Sequence, residues 1–326
     1  MLAASILGTG SAVPDNLVST EVVLEQAMPG RDAQAMKLRM GIGTRTWAEL
    51  GPLRSIELAA TAVRSALDAA GMQPNDLQRL LFCASLGGDI LAPANANLVA
   101  RDLGIADHCA CFDLNNACVG FVSLLDVAAR FVATGSGPVA VVASEIFSRH
   151  LHPTRGPRAH VVFGDAAGAA ILGPSSGDAG MLASHFGNDG RNFRAVTLYH
   201  PTITGKPEAL SFGMSTREIA AVAIPDMQRA VSDVLDKGGV TREDVDWVVL
   251  HQANGTFLDY FLDALGFRIE QTVRHVDRLG SLGSASVAVG LDELFRQRPV
   301  KSGDLVLMAA VGSGTARGAT LFRVQR

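Results

Sequence analysis

The segment that decides the fold is LDAAGMQPNDLQRLLF, residues 67–82, because it returns as LDKGGVTREDVDWVVL at residues 235–250. Leucine, aspartate, glycine and a second aspartate recur at a constant offset of 168 residues, and three apolar residues close each copy. Each copy is typical of the end of an amphipathic helix, a glycine at its C-terminus, a short turn and a buried strand. A match of this length predicts an internal repeat.

Two further matches follow in the same order. Residues 118–143 match residues 284–309 at an offset of 166, and residues 164–172 match residues 314–322 at an offset of 150. The chain is therefore predicted to be a duplicated α/β unit. Its near-continuous apolar strands indicate sheets that are covered on both faces.

Small residues dominate the helices that begin near Cys118 and Ser284, which suits helices packed tightly between two sheets. Placing these two helices back to back predicts a layered αβαβα architecture. The glycine- and serine-rich turn at residues 173–177 separates the copies. We therefore predict an N-terminal half, residues 1–173, and a C-terminal half, residues 174–326.

The composition excludes several classes of protein. Of the 326 residues, 48% are hydrophobic and 18% are charged, so intrinsic disorder is excluded. A net charge of −4 offers no basic surface for nucleic acid or an anionic membrane, and apolar runs stop far short of the roughly 20 residues of a membrane span. The N-terminal residues do not resemble a signal peptide. Four cysteines without CxxC or HExxH motifs predict a cytoplasmic protein without disulfide scaffold or metal site.

Cys118 is the first candidate for catalysis. It follows an apolar strand segment and an Asn-Asn-Ala turn, and it opens the small-residue helix of the first copy. A cysteine at a random position is more often a small buried hydrophobe. A helix N-terminus, however, stabilises a thiolate and lowers the pKa of the thiol. We therefore expect Cys118 to be a nucleophile and the one cysteine with thiolate reactivity at neutral pH.

His251 is the second candidate. It ends the buried strand of the second copy, where the first copy has Cys83, and it opens the polar cluster His-Gln-Ala-Asn at residues 251–254. Ligands of α/β sheets bind beyond the carboxyl ends of strands. A hydrogen-bonded core histidine is the alternative for this residue taken alone.

Together these segments resemble the thiolase superfamily, and most closely the β-ketoacyl-acyl-carrier-protein synthase III type of condensing enzyme. Four motifs carry the resemblance: DLNNACVGF (113–121), FGDAAGAAIL (163–172), HQAN (251–254) and DRLGSLGSAS (277–286). The resemblance implies a duplicated, thiolase-like αβαβα five-layered fold and an acyltransferase. It also implies a homodimer in which the strand with residues 139–143 pairs with its twin.

The same resemblance assigns chemical roles. Cys118 takes an acyl group from a thioester of CoA or of an acyl carrier protein, and no cofactor beyond these substrates is expected. His251 helps to bind the second thioester as it loses carbon dioxide, and the resulting carbanion attacks the acyl-enzyme. The backbone N–H groups of Cys118 and Ser313 are expected to form the oxyanion hole.

The chain departs from the family pattern where the catalytic asparagine is expected, because this position is Ser281. A hydroxyl is shorter than a carboxamide, and loss of one oxyanion donor typically costs about 10²–10³ in rate. Asn254, which belongs to a supporting network in the family, is a candidate substitute.

The substrate entrance also departs from the pattern. Arg39 is kept, but Ala35 replaces an aromatic residue that stacks on adenine in the family, Thr256 replaces an arginine and Val311 replaces a phenylalanine. These changes weaken the expected hold on CoA, so a carrier-protein donor or a different thioester is the alternative. The aromatic-bearing segment 186–214 and residues 86–94 are expected to wall the acyl channel.

The sequence leaves three functions open. The leading one is carbon–carbon condensation of an acyl thioester with a malonyl- or β-ketoacyl-type thioester, as in fatty-acid-like or polyketide synthesis. The second transfers the acyl group from Cys118 to an oxygen or nitrogen nucleophile without decarboxylation, which tolerates Ser281. The third is a non-catalytic partner subunit of a ketosynthase heterodimer, and retention of both Cys118 and His251 argues against it.

Overall fold

The computed structural model describes residues 1–105, 107–200, 203 and 209–325. Its strands are β1 (Ala4–Ala12), β2 (Leu17–Ser19), β3 (Thr44–Thr46), β4 (Arg79–Cys83), β5 (Ala110–Asp113), β6 (Val139–Glu145), β7 (Ala166–Pro174), β8 (Gly180–Gly187), β9 (Trp247–Leu250), β10 (Leu305–Gly312) and β11 (Ala316–Arg323). Its α-helices are α1 (Thr20–Ala27), α2 (Ala33–Met40), α3 (Arg54–Ala70), α4 (Asn95–Leu103), α5 (Gly120–Ala133), α6 (Pro157–Val162), α7 (Thr216–Gly238), α8 (Gly255–Leu265), α9 (Val276–Leu279) and α10 (Ala285–Gln297).

Four strands of each main sheet have the same topology, and the first sheet has β5 as an additional edge strand. The first has the strand order β1-β7-β6-β4-β5, and the second has the order β8-β11-β10-β9. In both sheets the first three strands pair antiparallel and the next pair is parallel. The strands start at the offsets of the repeats, since β4 and β9 begin at residues 79 and 247 and β6 and β10 at 139 and 305. The predicted duplicated α/β fold is confirmed.

The first repeated segment, residues 67–82 and 235–250, forms the predicted elements in both halves. Helix α3 ends at Gly71 and helix α7 ends at Gly239, and both glycines are left-handed, with φ of 66° and 65°. A left-handed residue lets the chain leave the helix while its N–H still bonds the last turn. Strands β4 and β9 follow in register with their parallel neighbours β6 and β10.

Three apolar cores stack as layers. The middle core joins helices α5 and α10 to the inner faces of both sheets. The outer cores pack α3 and α4 on the first sheet and α7 and α8 on the second. Contact between the layers is close: a Cβ at Gly168 of β7 would lie only 2.6 Å from the Ala288 Cβ of α10. The small residues predicted for the central helices therefore permit the αβαβα stacking.

The predicted dimer strand is wrong. Residues 139–143 belong to β6, which is hydrogen-bonded on one side to β7 and on the other to β4. A strand with two partners has no free edge, whereas β1 and β5 lie at the edges of this sheet. An edge-to-edge dimer through the first sheet would have to use one of these two strands.

Strand β7 ends at Pro174 and β8 begins at Gly180, so the chain passes between the sheets near the predicted boundary. The division into residues 1–173 and 174–326 stays a prediction about folding units. All four cysteines are free. Within the described ranges, no helix combines the length and apolar character needed to cross a membrane.

Candidate active site

A cavity of about 960 Å³ opens between the two halves, and it collects the predicted site residues. The predicted residues that line it are Cys118, His251, Ser281, Asn254, Ser313, Arg39, Thr256 and Val311. These residues come from α2, α8, the strand ends and the turns that follow them. They thus converge on one cavity although they span more than 270 positions of the chain, from 39 to 313.

Cys118 lies in a tight turn that enters the central helix. Ala117, just before it, has a left-handed φ of 45°, which is uncommon for a residue with a side chain. Residues 117–119 form a 3-10 turn, and α5 begins at Gly120. Gly312 leaves room for this turn, because a Cβ there would lie 3.1 Å from the Cys118 nitrogen. The backbone therefore holds the thiol at the cavity wall in a conformation that several contacts enforce.

The resting thiol is protonated. Burial, together with the nearby charge of Glu145, raises the pKa of Cys118 to about 12, although the backbone N–H groups of Ser313 and Cys118 itself favour the thiolate. The prediction of thiolate reactivity at neutral pH is therefore wrong, because desolvation outweighs the helix terminus. Cys111, on the edge strand β5, has a lowered pKa through its hydrogen bond with Cys109. The two N–H groups at the Cys118 sulfur remain available to an oxyanion formed on an attached carbonyl.

His251 follows β9 and is 4% exposed. Burial lowers its pKa to about 4, and the backbone of Gly283 opposes this shift. The imidazole is therefore neutral near pH 7, so one ring nitrogen can accept a proton and the other can donate a hydrogen bond. A neutral thiol and a neutral imidazole on one cavity can exchange a proton as the thiol attacks.

A buried network fixes the strand end that carries His251. The Gln252 side chain accepts hydrogen bonds from the backbone N–H groups of His275 and Val276, both at 3.1 Å, and donates to the Val273 carbonyl. His275, whose pKa burial lowers to about 3, lies 3.3 Å from the Ser286 hydroxyl. His275 was not singled out from the sequence, where it has no motif of its own.

Ser281 and Asn254 both line the cavity, but they are held in different ways. Ser281 is 1% exposed and is fixed by its backbone, which bonds the Val162 carbonyl and the Gly164 N–H. Its hydroxyl forms no hydrogen bond to the described part of the chain. Asn254 caps α8, because its Oδ1 accepts from the Phe257 N–H at 2.8 Å. The cap leaves the Nδ2 group of Asn254 as a carboxamide donor on a cavity-lining residue.

The cavity mouth carries arginines and apolar side chains. Arg39 of α2 lines it, and its carbonyl accepts from the Thr256 hydroxyl of α8 at 2.8 Å. Arg158 donates to the Met214 carbonyl at 2.6 Å and lies 4.6 Å above the Phe212 ring. These contacts tie both sides of the mouth to neighbouring elements.

The two segments expected to wall the channel differ. From residues 186–214, Ala195, Val196, Phe212 and Met214 line the cavity, while residues 201–202 and 204–208, including Pro201 and Pro207, lie outside the described residues. Residues 86–94 contribute nothing to this cavity, so that expectation is wrong for a single chain. Within this segment, the Gly88 carbonyl accepts a hydrogen bond from Arg149.

Two buried charged residues near the cavity, Arg45 and the motif residue Asp165, act in packing rather than chemistry. Arg45 is buried and donates to the Val161 carbonyl and the Thr20 hydroxyl. Asp165 accepts from the Ala48 and Ser148 N–H groups, and burial raises its pKa to about 6. Both residues hold the loops around the cavity in place. In the described ranges, no group of three or more His, Cys, Asp or Glu side chains is arranged to hold a metal ion.

Glu145 was missed by sequence reasoning. It is 2% exposed at the end of β6, and its Oε1 accepts from the N–H and hydroxyl of both Ser85 and Ser284. Burial raises its pKa, while these hydrogen bonds oppose the shift. The available signal was an acidic residue at the end of an otherwise apolar strand, at the position that matches Val311 in the second copy.

Comparison with known proteins gives a consistent set of relatives. Residues 112–190 match the family described as 3-oxoacyl-(acyl-carrier-protein) synthase III, and residues 235–324 match the C-terminal part of that family. A β-ketoacyl-(acyl-carrier-protein) synthase III of Rhizorhabdus wittichii is 35% identical over 99% of this chain and 100% of its own length.

Solved structures agree with the sequence relatives. The crystal structure of 3-oxoacyl-(acyl-carrier-protein) synthase III from Aquifex aeolicus superposes with a TM-score of 0.89 at 28% identity, covering 98% of this chain and 99% of that one. The priming β-ketosynthase of a polyketide biosynthetic pathway superposes with a TM-score of 0.89 at 29% identity, covering 98% and 96%.

Proposed function

The chain belongs to the 3-oxoacyl-(acyl-carrier-protein) synthase III family of condensing enzymes, and from this premise we propose that it condenses an acyl group held on Cys118 with a malonyl- or β-ketoacyl-type thioester. The observation that carries the proposal is the convergence of Cys118 and His251 on one cavity. Two backbone N–H groups lie at the sulfur, which is where the acyl carbonyl would be attached.

The first half-reaction is transfer of the acyl group between two sulfurs. The Cys118 sulfur attacks the carbonyl carbon of the donor thioester as its proton passes to His251. The negative charge on the carbonyl oxygen is stabilised by the N–H groups of Cys118 and Ser313. The carbon–sulfur bond to the carrier then breaks, and His251 returns the proton to the leaving thiolate. The products are acyl-Cys118 and the free carrier thiol.

The second half-reaction forms the carbon–carbon bond. A malonyl thioester loses carbon dioxide, and the electron pair of the broken bond forms an enolate whose oxygen accepts a hydrogen bond from His251. The enolate carbon attacks the acyl carbonyl, the bond to the Cys118 sulfur breaks, and the released thiolate takes up a proton. Asn254 is the proposed second donor to the enolate oxygen, because its Nδ2 is not used by the helix cap.

A second candidate function is acyl transfer from Cys118 to an oxygen or nitrogen nucleophile. Ser281 favours it, because backbone hydrogen bonds on both sides fix this residue. Its short hydroxyl side chain therefore cannot reach the point that the carboxamide of an asparagine would reach, and this second reaction needs no such donor. In this reaction His251 takes the proton of the nucleophile, and no enolate forms. A non-catalytic partner role is not supported, since Cys118 and His251 are both kept at a roomy cavity.

The donor is proposed to be a thioester of CoA or of an acyl carrier protein, with no further cofactor. Four arginines line the cavity and offer positive charge to phosphate groups: Arg31, Arg39, Arg158 and Arg217. It remains a prediction that the substitutions at Ala35, Thr256 and Val311 weaken the binding of CoA. Competition between acyl-CoA and acyl carrier protein for loading of the enzyme would rank the two donors.

We also propose a homodimer, now assigned to the edge strand β5 in place of β6. Ala110 and Asp113 of this strand are exposed, and pairing with a second copy would satisfy its free backbone groups. Light scattering of the full chain at micromolar concentration is expected to give the mass of a dimer. A monomer at that concentration would contradict the assignment.

Carbon dioxide release from a malonyl thioester, with Cys118 already acylated, tests which reaction is catalysed. For a condensing enzyme in which nothing replaces the missing carboxamide, Ser281→Asn is expected to raise release toward the roughly 10²-fold value of one oxyanion donor, whereas no gain is expected if Asn254 already supplies that donor. Asn254→Asp is the matched variant, because an aspartate keeps the helix cap and removes the donor, and release should fall. Absence of release in wild type and in Ser281→Asn would favour the heteroatom acceptor instead.

A further inference from the structure

The cavity wall contains one carboxylate that the proposed chemistry does not use. Asp226 lies on α7 and is the only acidic residue among the described side chains that line the cavity, where four arginines are present. It shares a helix face with Ile219, Val222 and Ala223, which line the same wall. The Asp226 side chain is 9% exposed, so the carboxylate is largely removed from bulk water.

Arg317 holds this carboxylate close to the catalytic turn. Its Nη1 donates to the Asp226 Oδ1 at 3.2 Å, and its side chain is 13% exposed. Arg317 on β11 is paired with Val311 on β10, and directly opposed residues of a sheet point to the same face. Val311 lines the cavity and precedes Gly312, which lies against Cys118. The Asp226–Arg317 pair is therefore connected through strand pairing to Val311, which lines the cavity one residue before the glycine that lies against Cys118.

Stability alone does not account for this pair. A buried ion pair is often no better than apolar residues of the same volume, because both charges lose their hydration. The pair is also incompletely satisfied: among the described residues, Arg317 Nε has no hydrogen-bond partner, and the one hydrogen bond to the Asp226 carboxylate reaches Oδ1 and not Oδ2. Arg229 lies 3.8 Å from the same Oδ1. The free Oδ2 of Asp226 is thus an acceptor on a cavity wall that is otherwise mainly apolar.

We propose that Asp226 determines substrate specificity by accepting a hydrogen bond from a neutral donor group, a hydroxyl or an amide N–H, of the substrate in the cavity. The inference rests on the proposed function, which places a thioester substrate there. Arg317 already balances the charge of Asp226, and the four cavity arginines disfavour a cationic ligand. The preferred occupant is therefore a largely apolar chain that bears a hydroxyl or amide group.

Two parts of a thioester substrate offer this chemistry. One is a hydroxyl on the acyl chain, and the other is the amide and hydroxyl of the carrier arm of CoA. The two are separated by comparing acyl-CoA with hydroxyacyl-CoA of equal length, and by comparing each with the corresponding N-acetylcysteamine thioester, which has a truncated arm.

Binding to a Cys118→Ala background measures the effect without turnover. The variant Asp226→Leu/Arg317→Met replaces both charges by apolar groups, so neither is left buried alone. Asp236→Leu is the matched control, because Asp236 lies on the same helix, is exposed and does not line the cavity. Dissociation constants for the thioester panel, measured by calorimetry, are the readout, and thermal unfolding reports whether each variant folds.

The double variant is expected to weaken binding of the recognised compound about tenfold, the effect of one lost hydrogen bond to a charged group, and Asp236→Leu is not. Selective loss for hydroxyacyl thioesters assigns the acyl chain, and equal loss for all CoA thioesters assigns the carrier arm. Within the arm, loss that the truncated thioesters share assigns the amide next to the thioester, which they retain, and loss that they escape assigns the outer amide or the hydroxyl. A folded double variant that binds the whole panel within twofold of its parent would overturn the proposal. Failure of the proposed function is separate, because it would appear as absence of acylation on wild-type Cys118.

Discussion

The two central helices begin at matching positions of the repeat, and their N-termini differ in one respect that decides the chemistry. Helix α5 is entered through Cys118, and α10 is entered through Ser284, its counterpart at the offset of 166. The two ends meet in the middle of the molecule, since a Cβ at Gly120 would lie 3.4 Å from the Ser284 Cβ. His251 directly follows β9 on one side, and Cys83, at the matching position, ends β4 on the other.

The difference is the occupant of the anion-binding position at each helix end. At α10 the position is filled by Glu145, whose carboxylate accepts from the N–H and hydroxyl of Ser284. Val311 matches Glu145 in the second copy, and at α5 this apolar residue leaves the N–H groups free beside the cavity. A helix N-terminus favours negative charge. The N-terminus of α10 is therefore occupied by a carboxylate of the protein itself, whereas the N-terminus of α5 is left to the oxyanion of a substrate.

Substitutions at the two matching strand ends should differ most strongly in their effect on the rate of acyl transfer. His251→Ala is expected to lower acyl transfer by about 10²–10⁴, because a thiol with a raised pKa needs a base as it attacks. Cys83→Ala, at the matching position, should leave the rate unchanged. Single-turnover loading of the wild-type and variant proteins with acyl-CoA, followed by mass spectrometry, measures both effects. Equal losses in the two variants would mean that the halves do not differ in function.

The pH dependence of alkylation is the next largest effect. A thiol whose pKa is raised to about 12 has a thiolate fraction that grows about tenfold for each pH unit below that value. Labelling of Cys118 by iodoacetamide should therefore be slow at pH 7 and rise steadily to pH 10. Cys111, whose pKa is lowered but which is half-buried on the proposed dimer strand, is followed in the same experiment. Peptide mapping after timed labelling distinguishes them, and a Cys118 rate that levels off by pH 8 would refute the raised pKa.

Removing the charge of Glu145 should produce the smallest effect. It tests whether this glutamate, bound at the N-terminus of α10, influences the pKa of Cys118 at the N-terminus of α5. The Glu145 charge raises the pKa of Cys118, so Glu145→Gln should lower that pKa and speed alkylation at fixed pH by between about twofold and tenfold. Glu57→Gln is the control, because Glu57 is an exposed residue of α3 paired with Arg54. A slower Cys118 in a folded Glu145→Gln protein would show that the glutamate acts otherwise.

Much of the fold follows from the sequence because the repeat constrains it. The offsets of 168 and 166 locate matching strands, and the glycines at 71 and 239 mark the helix ends that the structure contains. The order of strands in a sheet does not follow from the sequence in the same way, because apolar runs do not show which distant strands pair. The resemblance had implied that residues 139–143 form a dimer edge, and the residues themselves gave no pattern that could correct this, whereas they form a strand with two neighbours.

The site was predictable only where a motif marked it. Cys118, His251 and Ser281 stand in motifs, and all three line the cavity. The protonation state of Cys118 was not predictable, since it depends on how far burial outweighs the helix end. Glu145 and Asp226 were missed because each is an isolated acid within an apolar stretch, and only the packing shows what faces it.

Acylation of the protein tests the central claim most directly. The wild-type chain is incubated with an acyl-CoA and, separately, with an acyl carrier protein thioester, and intact mass is followed by peptide mapping. The account predicts a mass increase of one acyl group, located on Cys118 and absent from Cys118→Ala. An acyl group on Cys111 or another residue, or no acylation by either donor, would contradict it.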